Sequence, residues 1–148
     1  MSLLDRFNLK ILEELSHNGR IPVSQLAKLI GISKSPCQTR VKKLEQEGYI
    51  KGYKAILDHS KMGQEHVAFA QVRLSDTRAD ALEAFNDAVR TVPEVEECHM
   101  IASSFDYLVK IRTSDINTYR KVLGESLSSL PHVASTSTFV SMQAVKEQ

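Results

Sequence analysis

Residues 22–48, PVSQLAKLIGISKSPCQTRVKKLEQEG, read as two short helices joined by a tight turn. Val23, Leu26, Ala27 and Ile30 recur at three-and-four spacing and so share one helical face. Gly31 follows at once, and glycine tolerates the left-handed backbone of a helix end. Ser35-Pro36-Cys37-Gln38 then announces a second helix, with a hydroxyl to cap free amides, proline at the first helical position and Gln38 to complete a capping box. Cys37, Val41 and Leu44 form its buried stripe, and Gly48 ends it. Small Ala27 lets the two helices cross closely. The stretch is a helix-turn-helix with its stop and start signals in place.

The second helix carries a charge pattern that folding does not demand. Lys34, Arg40, Lys42 and Lys43 occupy its opening turns with no acidic residue among them. Ser33, Ser35, Gln38 and Thr39 add short hydrogen-bonding groups near its N-terminus. A recognition helix meets base edges with its N-terminal residues while flanking cations meet phosphates. Gln38, Thr39 and Lys34 are therefore assigned to base edges or the groove, and Ser35, Arg40, Lys42 and Lys43 to phosphate, with Ser33 at the helix start. The plain alternative is the solvated face of an all-α bundle. Capping, turn and unbalanced charge together favour double-stranded DNA.

The net charge of +1 hides an asymmetry. Residues 1–64 hold 11 Lys and Arg against 6 Asp and Glu, a balance of +5; residues 65–148 hold 8 against 12, a balance of −4. Only the first part is suited to a polyanion, and such binding weakens steeply with salt. Cys37 and Cys98 are lone cysteines in apolar patterns, read as reduced thiols of an intracellular protein. There is no CxxC, no HExxH and no His pair at ligand spacing, so neither a metal nor a cofactor is expected. No signal peptide or membrane-spanning run is apparent, and the expected location is the cytoplasm.

Working outward, Leu4, Phe7, Ile11, Leu12 and Leu15 give the inward face of a preceding helix that Asn18-Gly19 ends, completing a three-helix, winged domain over 1–57. Residues 49–57 are β-prone and leave that domain. A polar linker spans 58–65. The remainder, 66–148, alternates: strand 67–74, helix 78–92, strands 95–102 and 105–113 with Ser103-Ser104 at the bend, helix 116–130 and strand 133–142, then a polar tail. The helices turn Leu82, Phe85, Ala88, Val89, Ile116, Tyr119, Val122, Leu123 and Leu127 inward. The order βαββαβ is ferredoxin-like, so the chain is α+β with helices on one face of the sheet. The other face, with Val67, Phe69, Phe105, Tyr107, Val109, Ile111 and Phe139 as candidates, has no segment of the chain left to cover it and is expected to pair with a second copy.

Pro22, Gln25-Leu26-Ala27, Ile30-Gly31-Ile32-Ser33, Arg40-Val41, Leu44, Gly48-Tyr49-Ile50, Glu97-Cys98-His99, Phe105-Asp106-Tyr107 and 119–124 (YRKVLG) resemble the Lrp/AsnC transcription factors over the whole chain. The resemblance implies a C-terminal domain that senses a small amino acid, and homodimers that join through their sheets and assemble to tetramers or octamers. It implies an effector between subunits, against the bend holding Met100, Ala102, Ser103, Ser104 and Asp106, with Ser135, Thr136 and Ser137 of the last strand close by. Many members have Gly followed by Asp or Asn where this chain has Ser103-Ser104, which removes a permissive backbone position and a partner for a ligand ammonium. The segments around Ser103 and Ser135 resemble the subgroup that activates proline dehydrogenase genes, so proline is the named effector. Tyr53 and Arg120 are read as structural.

The function expected is sequence-specific transcriptional regulation of amino-acid metabolism. One alternative is an architectural DNA-binding protein without an effector. A second, an amino-acid-sensing regulatory subunit that binds no DNA, is opposed by the basic helix. An enzyme on the ferredoxin-like domain is set aside, because no nucleophile–base or acid pair is anchored by a motif.

Overall fold

The computed structural model describes residues 4–147. Met1, Ser2, Leu3 and Gln148, which the expected domain limits include, lie outside the described residues. The chain divides after residue 56 into two compact units.

The first unit contains α1 (Arg6–His17), α2 (Val23–Ile30) and α3 (Lys34–Gln46). Asp5 caps α1, its carboxylate accepting the Asn8 amide at 2.8 Å. Ile11, Leu26, Ala27, Ile30, Cys37 and Leu44 form the core, each large aliphatic side chain contributing about 2 kcal/mol by leaving water. Gly31 ends α2 at φ 86°, ψ 33°. Its amide and that of Ile32 both donate to the Ala27 carbonyl, at 2.9 and 3.1 Å. That geometry turns the chain sharply into α3, as the sequence requires.

The start of α3 differs from the expectation. Its N-cap is Ser33, not Ser35, and no side chain caps it. Ser35 and Pro36 lie inside the first turn and Gln38 closes no capping box. Proline is tolerated there because the first amides of a helix have no intrahelical acceptor to lose. Residues 49–57 form no strand, since a ladder needs a partner and the described residues supply none. Instead Ile50 packs on the helical core and Tyr53 lies against Gly19, where an added Cβ would meet its ring at 3.1 Å.

The second unit is a four-stranded antiparallel sheet in the order β2-β3-β1-β4, with β1 His66–Leu74, β2 Val95–Met100, β3 Tyr107–Thr113 and β4 Val133–Val140. Helices α4 (Ala79–Val89) and α5 (Ile116–Val122) cover one face, and α5 runs on into a π-helical turn, Leu123–Leu127. The core joins Ala68, Ala70, Val72 and Leu74 to Phe85, Tyr119, Val122 and Leu127. The Phe85 and Tyr107 rings lie 4.2 Å apart. Ile116, expected inward, is 44% exposed at the first turn of α5.

Two expectations about the open face are corrected. Tyr107, Val109 and Ile111 belong to the helix-covered core, because they pair with Val72, Ala70 and Ala68. The open face therefore carries Val67, Phe69, Gln71 and Arg73 of β1, Leu108, Lys110 and Arg112 of β3, and Phe139 of β4. It is mixed rather than a continuous apolar sheet. Nor is it wholly uncovered: residues 141–147 return across one end of it, bounding a hollow of about 620 Å³ with Val67, Phe69, Glu97 and Lys110. Glu147 anchors that return by ion pairs to Lys110 at 2.7 Å and Arg112 at 3.0 Å.

Candidate functional site

On the first unit, Ser33, Lys34, Ser35, Gln38, Thr39, Lys42 and Lys43 are all exposed along α3. Lys34, Lys42 and Lys43 have no carboxylate partner among the described residues. With Ser33 leaving the first turn uncapped and Pro36 lacking an N–H, the amides of Lys34 and Ser35 remain without a side-chain acceptor, which suits an anion at the helix start. Thr39 donates its hydroxyl to the Ser35 carbonyl at 3.1 Å.

Arg40 stands apart from the other residues assigned to DNA. Its Nη1 donates to Asp5 Oδ2 at 2.7 Å and to Asn8 Oδ1 at 3.1 Å, and the guanidinium lies 5.2 Å over the Phe7 ring. It ties α3 to the start of α1. The Asn8 amide first, and Arg40 after it, hold the Asp5 carboxyl below its usual range. No local pattern announces this pair, whose partners are 35 residues apart. Tyr53 donates its hydroxyl to Glu45 at 2.9 Å; loss of solvent, and then the Glu45 side chain, push the phenol up to about 12.

On the second unit, the bend after β2 is pinned to β1 through Asp106. Its Oδ2 accepts the Leu74 amide at 2.7 Å, its own amide donates to the Val72 carbonyl at 2.9 Å, and its carbonyl accepts from Ile101 at 2.8 Å. This occurs where the β1–β4 register shifts, between Arg73 and Leu74. The β-bulge there lies on the β4 side; the Leu74 amide faces β3, which begins only at Tyr107 opposite Val72, and Asp106 supplies its acceptor.

Beside the bulge, on the open face, lies a depression of about 220 Å³ lined by Gln71, Arg73, Ser104, Phe105, Ser135 and Ser137. The register pairs Gln71 with Ser137 and Arg73 with Ser135, so these four side chains share a face. Of the residues expected around an effector, the fold brings Ser104, Ser135 and Ser137 together. Ala102 and Ser103 stay on the exposed bend outside the depression. Thr136 pairs with Val72 and Met100 with Tyr107, which puts both on the helix-facing side. Gln71 and Arg73 are additions that the sequence reading did not place here. Strand alternation separates them from Ala70 and Val72, but only the pairing of β1 with β4 sets them beside the serines.

Residues 67–148 match the Lrp/AsnC ligand binding domain, and residues 4–51 match a winged helix-turn-helix DNA-binding domain. The chain is 65% identical over 144 residues to a proline dehydrogenase transcriptional activator of Rhizobium radiobacter, covering 97% of this chain and 92% of that protein. It is 42% identical over 144 residues to the leucine-responsive regulatory protein of Escherichia coli K12, covering 97% and 88%. Among solved structures, a transcriptional regulator of Neisseria meningitidis in complex with L-Met superposes with a TM-score of 0.90 at 30% identity, over 97% of this chain and 93% of that one.

Proposed function

The chain belongs to the Lrp/AsnC family of transcriptional regulators, and from that premise we propose how its residues divide the work. It is a DNA-binding regulator of amino-acid metabolism that responds to a small amino acid. Residues 1–57 hold DNA, 58–65 link, and 66–148 sense the effector and pair subunits. Lys34, Gln38 and Thr39 enter the major groove, and Ser35, Lys42 and Lys43 lie along phosphate. Arg40 reaches phosphate only with the part of its guanidinium that Asp5 and Asn8 leave unused. Proline is the effector, a reading supported by the likeness to proline dehydrogenase activators.

The observation that carries the DNA assignment is the exposed run of Lys34, Lys42 and Lys43 on α3, without one carboxylate partner among the described residues. The subunits pair through the open sheet face as homodimers and assemble further to tetramers or octamers. Two recognition helices then meet successive major-groove faces of a near-palindromic site. With DNA as partner, and no helix among the described residues long and apolar enough to cross a membrane, the working location is the cytoplasm. No residue is assigned to catalysis.

An effector acts only by preferring one assembly or dimer geometry over another. Selection of bound sites from random duplex DNA, with and without proline or leucine, tests the whole reading. A near-palindromic site whose occupancy changes with proline is the expected result. Binding that shows no sequence preference and no response to either amino acid marks an architectural protein instead.

A further inference from the structure

Residues 58–65 have the composition of a loose polar tether, yet they fold into a closed turn. The Asp58 carboxylate accepts the Lys61 amide at 3.2 Å. The His59 carbonyl accepts the amides of Met62 and Gln64 at 3.1 and 2.9 Å, and the Ser60 carbonyl accepts that of Gly63 at 3.1 Å. Gly63 closes the turn at φ 67°, a left-handed value that glycine adopts without strain. The Ser60 hydroxyl donates to Glu65 at 3.1 Å and ties the turn to the residue before β1. A segment bonded in this way is stiff where an unbonded polar linker is flexible.

We propose that Arg112 is a positioning residue for DNA binding: it fastens this turn to the sheet, so that residues 58–65 act as a fixed arm and not as a flexible tether. The inference rests on the reading that paired subunits bind DNA, and it names what holds the segment leading to the helical unit.

Arg112 lies on β3, opposite Val67, with its side chain on the open face and only 10% exposed. Its Nη1 donates to the Gln64 carbonyl at 3.3 Å. Its Nε donates to Glu96 at 2.5 Å, and its Nη2 to Glu147 of the returning tail at 3.0 Å. The guanidinium is a rigid planar fork. Two acids gripping the other nitrogens therefore aim Nη1 at the linker, which a lone contact with one carbonyl would not achieve. Lys110 provides a contrast within the same surface. It pairs with the same two acids and is set as deeply, at 12% exposed. Its ammonium is a single point charge, however, and no linker group among the described residues accepts from it.

The tail bounds the arm on its other side. Leu57, Asp58 and His59 face Met142, Gln143 and Ala144 across a cleft of about 260 Å³. Pairing of subunits through the open face would shield the junction further, and ion pairs strengthen as water is excluded.

The test compares the full-length wild type with Arg112→Lys, Glu147→Gln and Lys110→Gln. Hydrogen exchange and limited trypsin cleavage after Lys61, both read by mass spectrometry, follow the arm itself. Binding to duplexes that carry two half-sites at stepped spacings follows its effect, with half-sites taken from those selected out of random DNA. Arg112→Lys should speed exchange at Met62, Gly63 and Gln64 by roughly tenfold and hasten cleavage, while the β1–β3 ladder keeps its protection. Wild type should prefer in-phase half-sites to those half a helical turn out by roughly tenfold, and Arg112→Lys should cut that ratio to about twofold. Glu147→Gln should fall between the two, and it decides on the same readouts if Arg112→Lys folds poorly. Lys110→Gln removes pairs to the same acids and should leave both readouts near the wild-type level. Affinity for an isolated half-site should be equal in all four proteins, since α3 is untouched. An arm as protected in the Arg112 and Glu147 variants as in wild type overturns the proposal, and so does equal loosening by Lys110→Gln. A loosened arm with the spacing preference intact overturns the positioning role and leaves the DNA reading standing. A wild type that binds no duplex removes the DNA reading and the positioning role together.

Discussion

In the first unit the lysines of α3 have no carboxylate partner among the described residues; in the second, the cations of β3 have two each. Lys110 pairs with Glu96 at 3.3 Å and Glu147 at 2.7 Å, and Arg112 is held by the same two acids. Both surfaces are basic in sequence, so counting Lys and Arg does not tell them apart. What separates them is whether the fold supplies counter-charge. A cation already satisfied gains little from a phosphate, because it must first give up its partner. The exception is informative: Arg40 is paired within the open basic surface.

The strongest way to break this comparison is to remove the unpaired cations together. Lys34→Ala, Lys42→Ala and Lys43→Ala combined should weaken duplex binding by on the order of a hundredfold or more at low salt, and should lower the salt slope by about 0.9 for each phosphate no longer engaged. Mobility shift across a salt series reads both quantities. Wild-type affinity in the triple variant would place the DNA elsewhere on the chain. Gln38→Ala should instead change preference among sites while keeping the salt slope, since groups on base edges specify and groups on phosphate position.

Next in size is Asp106. Asp106→Ala removes the acceptor of the Leu74 amide and should cost about 1–3 kcal/mol, the usual cost of a part-buried donor left without a partner. Chemical denaturation followed by a probe in the second unit measures it. If stability holds while amino-acid binding disappears, Asp106 serves the ligand rather than the end of β1. Smaller again is Arg40→Ala, expected to destabilise the helical unit by about 1 kcal/mol through removal of its pair and of its packing over Phe7. Asp5→Asn should lower stability in the same direction. A stable Arg40→Ala protein with a reduced salt slope would move Arg40 back among the phosphate-binding residues.

The parts of this picture visible in the sequence are those set by neighbours along the chain. Gly31 forces a left-handed turn, and period-two alternation separates Ala68, Ala70 and Val72 from Phe69, Gln71 and Arg73. Local signals fail where two residues compete for one job: Ser33 and Ser35 lie two apart, and the backbone takes the earlier as cap. They fail by parity on β3, where a shift of one residue moves Tyr107, Val109 and Ile111 from the open face to the core. The remaining misses are pairings across the fold. Asp5 with Arg40, Glu147 with Arg112, and Arg73 with Ser135 join positions too distant in sequence for any periodicity to link them. The basic surface of α3 is therefore legible almost whole, and the polar depression only through its serines.

The smallest effect probes the neutralised surface itself. Lys110, then Arg112, hold the Glu147 carboxyl below its ordinary value of 4.5. Burial acts to raise Glu96, but Arg112 and then Lys110 more than reverse it, so Glu96 also lies below 4.5. A carboxyl whose folded pKa is depressed adds stability that is complete above its unfolded pKa and is lost as pH falls through the folded value. Near neutrality the network is thus intact, and it weakens only as pH drops below about 4.5, near the usual glutamate value. Glu147 is partly exposed, so solvent screening limits its share, and Glu147→Gln should cost about 1 kcal/mol or less at neutral pH. Its clearer sign is local: residues 141–147 should lose hydrogen-exchange protection while the β1–β3 ladder keeps its own. The difference between variant and wild type should then vanish in acid. A Glu147→Gln protein with the tail still protected would show that the Ser141 amide, which donates to the Val67 carbonyl at 2.9 Å, holds the strap across the sheet. Lys110 and Arg112 would then depend on Glu96 alone.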